Sequence, residues 1–308
     1  MMKKQRKPFL IPQSLLLILL LFSCKTIPEN HIAPDETGFV PLEPGAAVYI
    51  FAEVKNVQPI IDNINFKELE NKQVKTMLDL TDYAAVAVFP GQDSKVFQVS
   101  AQGEYPVFKA KIGLGVNKDW KKIRSKISRA VYWYSEKNGL SLTVNQRQAM
   151  VYASVGNVPI DPYSASAGTE LKIPDGFSEF RNDAVLSCWL ENADVIINQK
   201  LSEMGIPLEI PAEMLFLSLF PADSQCYEAT LRLQFDNASQ AMAFAMLFSL
   251  ARNFFTPETD SRIPAAGYDV MASVLFANPP VQNGNNLDIK SNGLSAAEIA
   301  LLLNNFLL

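Results

Sequence analysis

The chain has 308 residues and a formal charge of −5, with 48% hydrophobic and 19% charged residues. That is enough apolar material for a core and too little charge for a disordered chain. Three Cys exclude a disulfide-dense scaffold, and the single His, His31, excludes histidine triads, H-E-x-x-H zinc sites and histidine general bases in the folded body.

Lys3, Lys4, Arg6 and Lys7 precede an uninterrupted apolar run from Leu15 to Phe22, closed by Ser23-Cys24. This is the layout of a secretory signal, too short for a membrane span. A Cys after a small residue at the end of that run resembles the bacterial lipobox. The resemblance implies cleavage before Cys24 and acylation of its thiol and new amine, although Phe22 is bulkier than the commonest residue there. An ordinary signal peptide is the alternative. Two or three acyl chains, at about 0.8 kcal/mol per buried methylene, anchor a protein durably. Four of the 27 basic residues and none of the 32 acidic ones precede Cys24, so the mature chain carries −9. Such a charge argues against general nucleic-acid binding.

Residues 24–45, with Pro28, Pro34, Pro41 and Pro44, read as an acylated, extended tether in which His31 has no role. Ala47 to Val54 reads as a strand, Pro59 to Ile64 as helical, and Val74, Met77 and Leu78 as another helical stripe. Ala84 to Phe89 and Lys95 to Ala101 are further strands. Phe108 to Val116 alternates apolar residues with Lys109 and Lys111 and is read as a strand, although Pro106 and Gly113 would also suit a short helix.

Between Lys118 and Arg129 the segment carries Lys118, Lys121, Lys122, Arg124, Lys126 and Arg129 against Asp119 alone. Trp120, Ile123, Ile127 and Val131 fall at helical spacing. A basic amphipathic helix of this kind either lies in an anionic membrane interface or packs its Trp-bearing side on the protein's own sheet. Tyr132 to Tyr134 and Leu140 to Val144 then form a hairpin, with Met150 to Ser154 as a third strand.

A second copy begins at Ala184. AVLSCWL is similar to AVYIFAE, and ENADVIINQKL, ended by Gly205, is similar to VKNVQPIIDNI. Leu215 to Phe220 before Pro221 parallels Ala84 to Phe89 before Pro90, and Tyr227 to Phe235 follows as a strand. The expected division is a signal at 1–23, the tether at 24–45, one half at 46–157, a connector at 158–182 and a second half at 183–308. The fold class is α+β: two related halves with mixed or antiparallel sheets and amphipathic helices packed on them, joined into one α/β/α body in one version. Cys188 and Cys226, both exported, either bridge neighbouring strands or are buried hydrophobes.

Asn237 to Phe255 has Arg252 as its only charge. It is either central core, the favoured reading, or a segment that enters a membrane partway or covers a lipid. The last helix opens with the capping box Ser295 to Glu298 and places Ile299, Leu302, Leu303, Phe306 and Leu307 on one face that something must cover.

No G-x-S-x-G elbow, S-x-x-K or P-loop is present, and Gly113-Leu114-Gly115 lacks the third glycine of a dinucleotide site. Glu68 with Glu70 and Asp79 with Asp82 read as solvated helix surface. No catalytic, metal or cofactor residues are assigned, though carboxylates far apart in sequence leave a hydrolase as a third reading.

Cys24, the proline-bearing tether, Gly103-Glu104-Tyr105-Pro106, Asp119-Trp120 and Tyr132-Trp133-Tyr134 together resemble spirochaetal outer-membrane-associated lipoproteins whose amphipathic helices insert into the bilayer. The resemblance implies an α/β/α body on the periplasmic side of the outer membrane and lipid interaction without catalysis. The expected function is therefore a non-enzymatic lipoprotein touching lipid, with an anionic lipid or lipid ligand as partner. Contact is expected through Trp120, Lys121, Lys122, Arg124, Lys126, Ile299, Leu302, Leu303 and Phe306. The alternative is an envelope lipoprotein that docks protein partners instead.

Overall fold

The computed structural model describes residues 42–64, 78–89, 95–145, 148–154, 159–162, 171–203, 209–222, 226–254 and 274–306. The signal, Cys24, most of the tether, Glu68, Glu70, Val74, Met77 and residues 158 and 163–170 of the connector lie outside the described residues.

In chain order come β1 (Val48–Glu53), α1 (Val54–Asn63), β2 (Thr81–Val88), β3 (Lys95–Gly103) and α2 (Val107–Val116). Four strands follow, β4 (Lys121–Arg124), β5 (Val131–Ser135), β6 (Leu140–Val144) and β7 (Gln148–Ser154), then the short helix α3 (Phe177–Phe180). Next are β8 (Leu186–Glu191), α4 (Ala193–Glu203), β9 (Ala212–Pro221), β10 (Cys226–Phe235) and α5 (Ala238–Phe254). The chain closes with β11 (Val281–Asn283), β12 (Asn286–Lys290), β13 (Leu294–Ser295) and α6 (Ala296–Phe306). The class is α+β, and every pairing given below is antiparallel.

Two compact units interleave along the chain. One comprises Phe66–Asp82 and Gly91–Thr169 beside the undescribed Met1–Val40, and the other Pro41–Asn65, Tyr83–Pro90 and Glu170–Leu308. They differ from the consecutive halves 46–157 and 183–308. The reason is strand pairing: β1 lies between β2 and β8, so β1 and α1 belong with the second unit.

In the first unit the strands run β3-β7-β6-β5-β4. Phe97, Trp133, Leu142, Val144 and Val151 join Ala110 and Leu114 of α2 in one core cluster. The register puts Gln98, Ser100, Ser141 and Tyr152 on the opposite face, all buried. There Gln98 Nε2 donates to the Tyr152 hydroxyl at 2.9 Å, satisfying a polar pair that would otherwise cost energy to bury. Gly103 sits against the backbone, since a Cβ there would fall 1.9 Å from the Leu80 carbonyl oxygen.

Beside it the Tyr105 hydroxyl lies 2.9 Å from Thr81 Oγ1. Burial pushes the Tyr105 phenol up to about 12, a rise offset in part by the Thr81 hydrogen bond. Above its ordinary value of 10.0 the unfolded chain ionises first. The contribution to stability is therefore complete below that pH and is lost as pH rises through about 12. A shift of two units corresponds to about 2–3 kcal/mol. Denaturant midpoints followed from pH 10 to 12 should fall more steeply for the parent than for Tyr105→Phe; identical slopes would refute the assignment.

In the second unit the order is β11-β12-β10-β9-β8-β1-β2, with β13 also paired to β10. One face carries Leu217, Leu219, Ala229 and Leu233. Val57 and Ile60 of α1 and Ile299 and Ala300 of α6 share a cluster with Leu219 and Ala229. Ala241 and Phe244 of α5 share another with Leu233. The opposite face holds Tyr49, Trp189 and Phe216, aligned across three neighbouring strands. Phe177 of α3 closes over them, its ring 4.6 Å from Trp189 and 5.3 Å from Phe216. Arg232, paired with Asp288 at 2.6 Å, lies 5.0 Å over the Phe180 ring.

Candidate functional site

The expected strand over 108–116 is a helix, and it is apolar on its outer as well as its inner side. Ala110 and Leu114 point inward at 0% exposure, while Phe108, Ile112 and Val116 stand 78%, 50% and 76% exposed. Spaced by four residues, these three form one outward stripe along α2. At 3.6 residues per turn, Lys109 and Lys111, both exposed, fall on either side of it.

Helix α5 is one-sided core rather than central core. Asn237 caps its start, its Oδ1 accepting the Gln240 backbone N–H at 3.0 Å. Ala241 and Phe244 are buried, and the Phe244 ring stacks on Phe235 at 5.3 Å. On the outer side Met242, Met246, Leu247 and Leu250 are 49–60% exposed. Met242, Ala245, Met246, Ser249 and Leu250 line a shallow, mostly apolar depression. Ser249 adds little polarity, because its hydroxyl donates back to the Ala245 carbonyl at 2.7 Å. An ordinary surface helix is polar on its outer side; this one has no charge before Arg252.

The basic helix expected over 118–131 is instead a turn, the edge strand β4 and a tight loop. Trp120 is 6% exposed in the core of the first unit, which removes its ring from any outer surface. Lys121 forms an ion pair with Glu136. Lys122, Arg124 and Lys126 are exposed. The loop is held by Ser125, whose Oγ accepts the backbone N–H groups of Ile127 and Ser128, each at 3.1 Å.

The capping box forms as expected: Ser295 N–H donates to Glu298 Oε2 at 2.8 Å, and Glu298 N–H donates to Ser295 Oγ at 3.2 Å. The apolar face of α6 is nevertheless not a lipid-contact face over its first turns. Ile299 is buried and Leu303 packs against the same cluster, with Leu302 half-buried. The Phe306 side chain lies outside the described residues. Of the two readings of Cys188 and Cys226, the bridge is the one the structure excludes: both thiols are free. Strand β9 lies between β8 and β10, and the register puts Cys188 and Cys226 on opposite faces of the sheet, beyond disulfide reach. Burial raises the Cys188 thiol to about 12, which keeps it protonated and inert.

Among the described residues no group of three His, Cys, Asp or Glu side chains is placed to hold a metal, and no helix is long and apolar enough to cross a membrane. The outer sides of α2, which sequence reasoning missed, and of α5, which it named as core or a lipid-covering segment, are the surfaces that stand out.

The fold is α+β, and it turns apolar residues of α2 and α5 outward. The chain belongs to the family of the outer membrane-associated lipoprotein TP0453, whose family model matches residues 37–263. It is therefore an outer membrane-associated lipoprotein by family. Solved structures of TP0453 share the fold. Crystal form III is 16% identical with a TM-score of 0.58, covering 87% of this chain and 98% of that one. Crystal form I is 16% identical with a TM-score of 0.55, covering 85% and 94%. Crystal form IV is 18% identical with a TM-score of 0.55, covering 84% and 93%. No curated protein sequence matches the chain.

Proposed function

We propose that this lipoprotein is acylated at Cys24 and engages lipid directly, without catalysis, through the outer sides of α2 and α5. The observation that carries the reading is the outward side of α5, where Met242, Met246, Leu247 and Leu250 are exposed on a helix with no charge before Arg252. Contiguous exposed apolar surface of this kind marks a contact with membrane or partner. Its flexible Met side chains suit an irregular acyl surface. The stripe on α2 supports the same chemistry. Bulky apolar residues flanked by lysines match a segment lying at a headgroup boundary, with ammonium groups in the polar layer and rings below it.

The test is flotation of the mature chain, 24–308 with Cys24→Ser, on phospholipid vesicles. The unacylated protein should float. Met246→Asp with Leu250→Asp should remove most of the floating fraction, as should Phe108→Asp with Val116→Asp, while thermal stability stays near that of the parent because these side chains already face water. A parent that stays at the bottom of the gradient, monomeric and indifferent to vesicles, would rule the reading out in favour of protein docking.

A further inference from the structure

We infer that β4 and its loop to β5 form a separate anionic-headgroup site, which reads membrane charge while α2 supplies apolar contact; the inference rests on the lipid reading above. Two observations in the first unit carry it. The first is register. Lys122 pairs with Trp133 and Arg124 with Val131 across β4–β5, whereas Lys121 and Ile123 pair with Tyr134 and Tyr132. Trp133 belongs to the core under α2, so side-chain alternation puts Lys122 and Arg124 on the helix-bearing side of the sheet. That is the side on which Phe108, Ile112 and Val116 stand exposed.

The second observation is lack of compensation. Lys121 is paired with Glu136, and Lys137 lies 3.6 Å from Asp119. Among the described residues, Lys122, Arg124, Lys126 and Arg129 make no ion pair, in a mature chain whose net charge is −9. Four exposed cations without an ion pair at one edge of an acidic protein leave that edge open to an anionic partner. The loop is shaped to present them. Ser125 N–H donates to the Ala130 carbonyl at 2.8 Å, and Ser125 Oγ holds the next turn. Arg129 takes the left-handed conformation at φ 60°. Ile127 is thereby placed in the loop at 58% exposure between Lys126 and Arg129.

An exposed apolar side chain in a loop that also carries Lys126 and Arg129 suits a phosphate layer with acyl chains beneath it better than a soluble anion, which would leave Ile127 in water. The tether of residues 24–45, at most about 75 Å when extended, keeps the body within reach of the bilayer. The site therefore takes the phosphate or carboxylate headgroups of anionic lipids. Lys122 also lies on an edge strand, where a cation discourages strand-to-strand association.

The experiment uses the mature chain, 24–308 with Cys24→Ser, and two vesicle types, pure phosphatidylcholine and phosphatidylcholine with phosphatidylglycerol. The parent should bind the anionic vesicles more tightly, and added salt should remove the difference. Lys122→Glu, Arg124→Glu and Lys126→Glu together should lower affinity for anionic vesicles at least tenfold and leave binding to neutral vesicles unchanged. Ile127→Ser alone should weaken anionic binding several-fold, and the circular dichroism of both variants should match the parent. Equal binding of the parent to both vesicle types, or a triple variant that keeps its anionic preference, overturns this inference and leaves the lipid reading standing. Failure of the parent to bind either vesicle overturns both. A vesicle-free dimer of the parent that the triple variant abolishes would instead assign the cations to a second copy's acidic surface, against this proposal.

Discussion

Trp189→Ala should lower the stability of the second unit by about 3–5 kcal/mol, one of the two largest losses expected of any single substitution here. The indole is 0% exposed and lies 4.6 Å from Tyr49, 5.3 Å from Phe51 and 4.6 Å from Phe177. Its removal opens a cavity that three neighbouring strands and α3 all line, and rigid strands close around a void poorly. Trp189→Phe separates volume from polarity. Among the described residues the buried indole Nε1–H has no hydrogen-bond partner, so the ring contributes packing rather than a polar contact. Phe keeps most of the ring and removes that N–H, and should cost less than half as much as Ala. Urea midpoints for the two variants check both statements; equal losses would show that polarity, not volume, governs the site.

The strands were legible because their residues are β-branched, aromatic and bounded by Pro or Gly. Val48–Glu53, Lys95–Gly103 and Cys226–Phe235 all fall where the pattern put them. The error at 108–116 has a physical cause. In an ordinary surface helix, apolar residues mark the inner side alone. In α2 the inner pair Ala110 and Leu114 and the outer set Phe108, Ile112 and Val116 are both apolar, and each set repeats every four residues. Offset by two, they merge into a perfect period of two, which is the signature of a strand. The feature that makes α2 interesting as a surface is the one that disguised it. A second ambiguity lay at 118–131, where Trp120, Ile123 and Ile127 fit helical spacing, yet Ser125 turns the chain and Trp120 precedes the strand.

Short polar strands were invisible. β11 and β12 are joined at Gly284, whose φ of 60° suits a tight hairpin, but Val281–Lys290 is too polar to signal burial. Similarly, no sequence pattern said which side of α5 would face outward, because all its sides are apolar. β1-α1-β2 and β8-α4-β9 are both strand–helix–strand elements with antiparallel neighbours, and β1 pairs with β8 between them.

Trp120→Ala tests whether the aromatic residue of the basic segment holds the fold or touches lipid. Trp120 is buried with Tyr105, Leu114 and Trp133, and its backbone N–H donates to the Asn117 carbonyl at 3.2 Å, closing the turn between α2 and β4. Truncation to Ala should therefore cost about 3–5 kcal/mol and loosen the seat of α2. An interfacial Trp would behave differently, with little change in stability and a blue shift of emission on entering the bilayer. All three tryptophans of the chain, Trp120, Trp133 and Trp189, are buried, so parent emission is already set by apolar surroundings. Adding anionic vesicles should leave the emission maximum of the mature, unacylated chain in place even while the protein floats with them. A vesicle-induced shift that disappears in Trp120→Ala would mean that α2 lifts from its sheet on the membrane and exposes the core beneath it. In that event the outward stripe of Phe108, Ile112 and Val116 would be only part of the surface the first unit gives to lipid.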